Sequence, residues 1–548
     1  MNSSSNLPKG IHLLLLTLIM GSGLMAQTSF RKQTYEAKFI RSFEPTSVKT
    51  SFAPRLQSLE APKPGGEGYH DFLARVKEQV TADFPIQERN TAVRGTQSAD
   101  SPQILDGFGL TWEHPTNGTT YHAGGRPNDN TLALSEDGYL LTSWNTLIYA
   151  HDMNADTAMY KPNPFFNAIS FAQFADTLST SAPFDPKILY DPIEKRFILM
   201  YLSGRTPQDS KTILGFSTST NPTDPWNLYE IDGNPLDTNF WSDYPQIAIT
   251  KDELFYTVNL LEDGQSWIHG FRSTLIWQID KKSGYRGDAT LTLDLWDEIN
   301  YNGKPLRYFR PIKNGSGPAG PNMYFISNRS IPVDFGDTLS YSNDSIFLIE
   351  VTDTKASGNA TLVVRPGKAN ARYHTPPAAR QATGAQPLFT NDARVLGGFL
   401  HNGEIQFVGN TLDSTSGRCG IYHGIIKNLN GPIDVSLEII GDDSLDLGFP
   451  NITYSGINAS NQSALIGFDH SSPNHFAGNA VVYYDGKGNY SEVKRVIDGE
   501  GYVDVINGTS ERWGTTSECN VILIVPSQLG WQAILLKPIT KVQSGYRM

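Results

Sequence analysis

From about residue 129 onward, apolar residues alternate with polar ones in short runs that recur as one pattern. A polar or Pro-bearing lead-in opens an alternating strand. A turn holding Gly, Asp or Asn follows, and then a second, more apolar or aromatic strand. The copies are NDNTLALSEDGYLLTSWN from Asn128, FDPKILYDPIEKRFILMYLSG from Phe184, SDYPQIAITKDELFYTVN from Ser242 and YFRPIKNGSGPAGPNMYFISN from Tyr308. They continue with TNDARVLGGFLHNGEIQFVGN from Thr390, GFPNITYSGINASNQSALIGFDHSS from Gly448 and ERWGTTSECNVILIVPSQ from Glu511. Third strands such as KTILGFSTS and CGIYHGIIK come next, and several copies add a fourth, such as WNLYEI or DVSLEII.

The lead-in residues Asp185, Asp243, Arg310, Asp392, Pro450 and Arg512 recur at spacings of 58, 67, 82, 58 and 62, longer than a WD40 or kelch unit. A meander of three or four strands leaves two apolar faces that only neighbouring meanders can cover. The pattern therefore predicts an all-β fold, a single β-propeller of seven blades, each of three to four antiparallel strands. The last copy lacks a clear fourth strand, and the run from Ile104 to Trp112 is expected to supply it and close the ring. A pair of β-sandwiches is the competing architecture, and the regular recurrence of one unit makes it the weaker. No βαβ alternation exists, which sets α/β folds aside.

The chain before the repeats reads differently. Lys9, the apolar run Ile11 to Met20, the small residues Gly21-Ser22-Gly23 and a cleavage site after Ala26 predict a signal peptide over 1–26. The mature chain is then expected to be secreted, periplasmic or on the outer cell surface, with no integral membrane segment. Residues 27–104 form an N-terminal extension, Pro/Ser-rich from Ser42 to Gly66. One helical patch runs from Tyr69 to Phe84, with Phe72, Leu73, Val76 and Val80 at helical spacing. This extension is expected to pack outside the propeller (105–548) or to be partly disordered. With 49 Gly, 33 Pro and only 18% charged residues, the composition suits a turn-rich β protein. The net charge of −12 speaks against nucleic acid and against an anionic membrane surface as partners.

Several segments resemble a group of exported Gram-negative bacterial proteins with large-repeat β-propellers, many of them without assigned activity. The resembling pieces are FDPKILYDPIEKRF (184–197), STSTNPTDPWNLYEID (217–232), SDYPQIAIT (242–250), NDARVLGGFLHNGEI (391–405) and Arg512-Trp513-Gly514. The resemblance implies the propeller and is nearly mute on activity. Where members often carry an Asp-Tyr pair after Arg-Trp-Gly, Thr515 and Thr516 stand here.

In a propeller the loops leading into the innermost strands converge on one end of the central channel. That places Asp185, Asp243, Tyr244, Arg310, Asp392, Arg394 and Arg512 at the channel mouth as candidate binding residues. Such charges bind an ion or a sugar, or serve as acid and nucleophile. The favoured reading of them is a ring of inter-blade salt bridges. Asp191-Pro192 and Asp224-Pro225-Trp226 read as turns, with Trp226 sealing blade against blade. A sialidase would repeat an S-x-D-x-G-x-T-W turn; Ser135 to Gly138 begins one, but Gly comes a place early and Leu140 and Leu141 follow.

No cofactor is identified. Ca²⁺ remains open at Asp129-Asn130 and at Asp442 to Asp446, which offer oxygen ligands without EF-hand spacing. No metal site is assigned: the loop pairs His470/His475 and His114/His122 lack a close third ligand. Cys419 and Cys519 permit one disulfide or two separate thiols. No P-loop, G-x-S-x-G or H-E-x-x-H motif occurs. Two functions are expected in this order. The first is a secreted or cell-surface binding or scaffold protein presenting one propeller face to a protein or glycan. The second is a glycan-directed hydrolase, glycosidase or sialidase-like, with acid and base groups at the channel mouth.

Overall fold

The computed structural model describes residues 28–47, 69–87, 102, 131–144, 147–160, 168–174, 183–265, 270–330, 342–382, 385–456, 460–499, 501–503, 510–513, 520–527 and 530–536. The expected signal peptide, the expected closing strand 104–112, His114, His122, Asp129-Asn130 and Cys519 lie outside these residues. For Trp144, Arg512 and 520–536 the description is of the backbone.

The described chain is nearly all β. Antiparallel meanders follow one another in sequence, and we number them as units. Unit 1 spans 131–170, unit 2 184–232, unit 3 240–301, unit 4 310–374, unit 5 395–440 and unit 6 446–497. Units 2 to 6 each hold four main strands in sequence order, as in unit 2 with Phe184–Asp191, Arg196–Ser203, Lys211–Ser217 and Trp226–Asp232. A hairpin of Asn520–Ser527 and Gly530–Leu536 comes last.

Turn chemistry explains several of the reversals. Tyr301 and Lys304 pair across Asn302-Gly303, and His401 and Glu404 across Asn402-Gly403; all four turn residues have left-handed φ, from 45° to 76°. Two consecutive left-handed residues make the turn whose twist matches paired strands, and Asn-Gly adopts it most readily. At Asp191-Pro192 the expected side-chain turn is present, since Ile193 N and Glu194 N donate to Asp191 Oδ1.

Strand alternation then sends side chains to two different neighbours. Along Arg196–Ser203, Phe197, Leu199 and Tyr201 pack toward unit 1, while Ile198, Met200 and Leu202 pack toward unit 3. The five largest apolar clusters among the described residues each lie between two consecutive units, from 1–2 through 5–6. Trp226 is fully buried in the first of these, its Nε1 donating to Pro222 O at 3.0 Å. Units 2 to 5 are thus blades covered on both faces, the packing of a β-propeller. The first strands of consecutive units lie beside one another, and Asn520–Ser527 lies beside the first strands of both unit 6 and unit 1.

Two N-terminal elements are laid over this body. Strand β1 (Thr28–Phe43) pairs on one side with the fourth strand of unit 3 and on the other with the fourth strand of unit 2, joining them into one sheet. Arg31 forks onto Asp297 with two 2.8 Å bonds, and Lys32 reaches Asp294 at 2.9 Å, so β1 compensates two buried carboxylates. Helix α1 (Tyr69–Asp83) coincides with the expected helical patch. Its apolar residues Phe72, Leu73, Val76 and Val80 pack on Phe389 and Leu412 of the unit 5 region.

Candidate functional site

The lead-ins of the first strands share an unusual backbone. Asp185, Tyr244, Tyr308, Asn391 and Phe449 all have left-handed φ, between 49° and 57°, at the start of units 2 to 6. In units 2, 3 and 6 the strand register shifts there, between Phe184 and Lys187, Asp243 and Gln246, and Gly448 and Asn451. Left-handed φ on a non-glycine residue costs about 1–2 kcal/mol, so its recurrence marks a position the fold requires. These residues define the true structural equivalence between units. Asp185 belongs to it. Asp243 falls one place before it, Asp392 one place after and Arg310 two places after, because counting along the chain does not register a bulge.

Two residues beyond the left-handed position, units 2, 3, 4 and 6 carry a buried polar side chain: Lys187, Gln246, Arg310 and Asn451. Unit 5 has Ala393 there, with Arg394 following. From this ring a cluster spans units 3, 4 and 5. Arg394 donates from its backbone N and Nε to Asp392 Oδ1 at 2.9 and 2.8 Å, and from Nη2 to Oδ2 at 2.7 Å. The guanidinium also lies 3.5 Å from the ring centroid of Tyr308 and 4.8 Å from that of Tyr244, a cation held between two aromatic faces. The two tyrosine rings meet edge to face at 5.6 Å. Burial pushes the Tyr244 phenol pKa up, and the nearby Arg394 and Arg310 oppose that shift. Arg310 Nη1 donates to Gln246 Oε1.

The structure therefore brings Tyr244, Arg310, Asp392 and Arg394 together. Asp392 and Arg394 form an ion pair within the lead-in of unit 5, and cation–π and amide contacts reach from one unit to another. Asp185 and Asp243 stand at the lead-ins of units 2 and 3, partly exposed. The backbone of Arg512 pairs in parallel with Phe389. Sequence reasoning missed Gln246 and Tyr308, although Tyr308 precedes Phe-Arg-Pro much as Tyr244 precedes Pro-Gln. It also missed Lys77, whose ammonium is buried and donates to Pro376 O (2.8 Å), Thr390 Oγ1 (2.7 Å) and Asn391 O (2.5 Å). A Lys four places after Leu73 and three before Val80 lies on the apolar face of α1, which was a readable signal.

The remaining candidates have partners within the fold. Asp442 Oδ1 accepts from Ser444 N, Ser444 Oγ and Leu445 N, and Asp446 accepts from Arg380. His470 is buried, its imidazole pulled down to about 4 by burial, with Nε2 3.3 Å from Asp498. Arg495 donates to His475 Nδ1 at 2.7 Å. Among the described residues no group of three or more His, Cys, Asp or Glu is placed to hold a metal ion. Cys419 is a buried free thiol whose pKa burial drives well up. No helix among them is long and apolar enough to cross a membrane.

No family model and no curated protein matches the chain. Solved structures give only distant likenesses. An apocarotenoid oxygenase mutant from Synechocystis is 11% identical over 85% of this chain and 93% of its own, with a TM-score of 0.36. The endo-arabinase of Bacteroides thetaiotaomicron is 13% identical over 58% and 95%, at 0.28. The hemagglutinin-neuraminidase of parainfluenza virus 5 is 8% identical over 68% and 88%, at 0.33. Likenesses this distant fix no activity for the chain.

Proposed function

We propose that this chain is an exported seven-bladed β-propeller that works as a binding or scaffold protein. It offers the face bearing the strand lead-ins to a protein or glycan partner outside the inner membrane. The circuit of neighbouring first strands, running through units 1 to 6 and the final hairpin back to unit 1, supports the seven-blade reading. The bonding of Asp392 favours binding over hydrolysis. It is fully buried, and both its carboxylate oxygens already accept bonds from Arg394, so it stands as a partner of that guanidinium. A retaining or inverting glycosidase needs two carboxyl groups facing one bond.

The test is a glycan array paired with a pull-down from the producing cell's surface fraction, using purified chain. Saturable binding weakened by Arg394→Ala, with no turnover of aryl-glycosides or polysaccharides, is the expected result. Turnover abolished by Asp243→Ala or Asp392→Ala would overturn the reading in favour of a hydrolase.

A further inference from the structure

The two arginines of the cluster differ in what surrounds them. Arg394 has a carboxylate in its fork. Arg310 is only 6% exposed, yet among the described residues no carboxylate lies within ion-pair distance of it, and its hydrogen-bond partner is the neutral amide of Gln246. Arg310 carries only donors, so the Gln246 amide must turn its oxygen toward the guanidinium. That leaves Gln246 Nε2 as a buried donor with no partner. Asn259 repeats the situation on the same face of unit 3: its Oδ1 accepts from Thr274 Oγ1 at 2.7 Å, and its buried Nδ2 has no partner. These two unmet amide groups are donors, and one of their neighbours is a cation.

A buried cation without a counter-charge is costly, and a buried donor without an acceptor adds to the cost. Both costs vanish when an oxyanion sits between them. We infer that Arg310 and Gln246 form a subsite for an oxyanion group of the ligand, such as the carboxylate or sulfate ester of an acidic glycan. The Asp392–Arg394 pair is the neutral counterpart beside it. Its guanidinium is spent on Asp392, and it holds the two tyrosine faces in place. A polyanionic partner would be repelled by a chain of net charge −12, whereas a single oxyanion entering a donor-lined site is not.

This subsite rests on the binding reading above and can fail without it. The probes are sodium D-glucuronate, sodium sulfate and inorganic phosphate at constant ionic strength, with D-glucose as the uncharged control. Binding is read by calorimetry and by thermal shift on the purified chain. At least one oxyanion should bind, D-glucose should not replace it, and the preferred probe identifies the group as carboxylate, sulfate or phosphate. Gln246→Glu supplies an internal carboxylate to Arg310. It should weaken oxyanion binding at least tenfold and raise the melting temperature of the unliganded chain. If that variant does not fold, Arg310→Gln carries the same test, with loss of oxyanion binding expected and the circular dichroism spectrum retained. Absence of binding by all three oxyanions, or binding undiminished in the folded variant, would overturn the subsite. If the glycan array still shows partners under those outcomes, the broader binding function stands and only the subsite falls.

Discussion

Two lysines are buried at different places in this protein, and they are handled in opposite ways. Lys281 and Asp191, between units 3 and 2, are both 0% exposed and 2.7 Å apart. Lys281 also donates to Thr250 O, and Tyr285 donates to the same Asp191 oxygen at 2.9 Å. Lys77, brought by α1 to the lead-in of unit 5, meets two carbonyls and a hydroxyl and, among the described residues, no carboxylate within ion-pair distance. Burial pulls its pKa down to about 7, against three acceptors that suit the charged form. The first lysine clamps two blades through a completed ion pair. The second is an ammonium held by backbone oxygens, and its charge is open to pH.

The largest effect should come from unpairing the clamp. Asp191→Ala strands a buried ammonium and also removes the acceptor of the turn at Ile193 and Glu194. We expect a loss of about 3–5 kcal/mol by urea unfolding. Replacing both partners with apolar residues (Asp191→Leu with Lys281→Met) should recover much of that loss. A double variant as unstable as the single one would show that the charge was not the cause.

Next comes the compensated seam at β1. Arg31→Ala leaves Asp297, fully buried, with Gln33 as its remaining side-chain donor on β1, and should cost about 1–3 kcal/mol. Half-exposure of Arg31 keeps the figure below that for Asp191. An unchanged melting temperature would mean that β1 is held by its strand pairing alone.

Lys77 should show itself in the slope of stability against pH. Its folded pKa lies below the unfolded value of 10.5, so the unfolded chain binds more protons between about 7 and 10.5, and stability rises with pH across that window. Lys77→Met should lack this rise, by up to about 1.4 kcal/mol per pH unit. Parallel profiles for the two proteins would show that the ammonium stays charged throughout.

A smaller pH effect than that of Lys77, and of opposite sign, belongs to Glu253. Burial raises its carboxyl to about 7, although Gln278 Nε2 and Lys355 N donate to it at 2.7 Å. The folded chain then binds more protons between 4.5 and about 7, so stability falls as pH rises through that range. Glu253→Gln should remove the fall, on the order of 2 kcal/mol between pH 5 and 7. A wild-type profile flat over that interval would contradict it.

The regular part of the fold was legible because each blade is a local meander. Alternation, Asn-Gly turns and the Asp191-Pro192 step act over a few residues and read directly from the chain. The helical patch at Tyr69 was legible for the same reason. Strand β1 was not, because TSFRKQTYEAKFIRSF carries its charges for Asp294 and Asp297, which lie more than 250 residues away. The candidate site was half legible. Recurrence singled out Tyr244, Arg310, Asp392 and Arg394, but a left-handed bulge displaces the register by one or two residues, and a spacing count cannot register that.

By itself, then, the sequence determined the nearly all-β class, the order of the repeating units and four residues of the cluster, Tyr244, Arg310, Asp392 and Arg394. These follow from periodicity and turn preference, which are properties of neighbouring residues. The tertiary structure alone decided which charge meets which. It placed Arg394 between Tyr244 and Tyr308 and left Arg310 facing a neutral amide. Those outcomes depend on contacts between blades far apart in the chain, where burial sets the cost of every unpaired charge and local pattern carries no record of the partner.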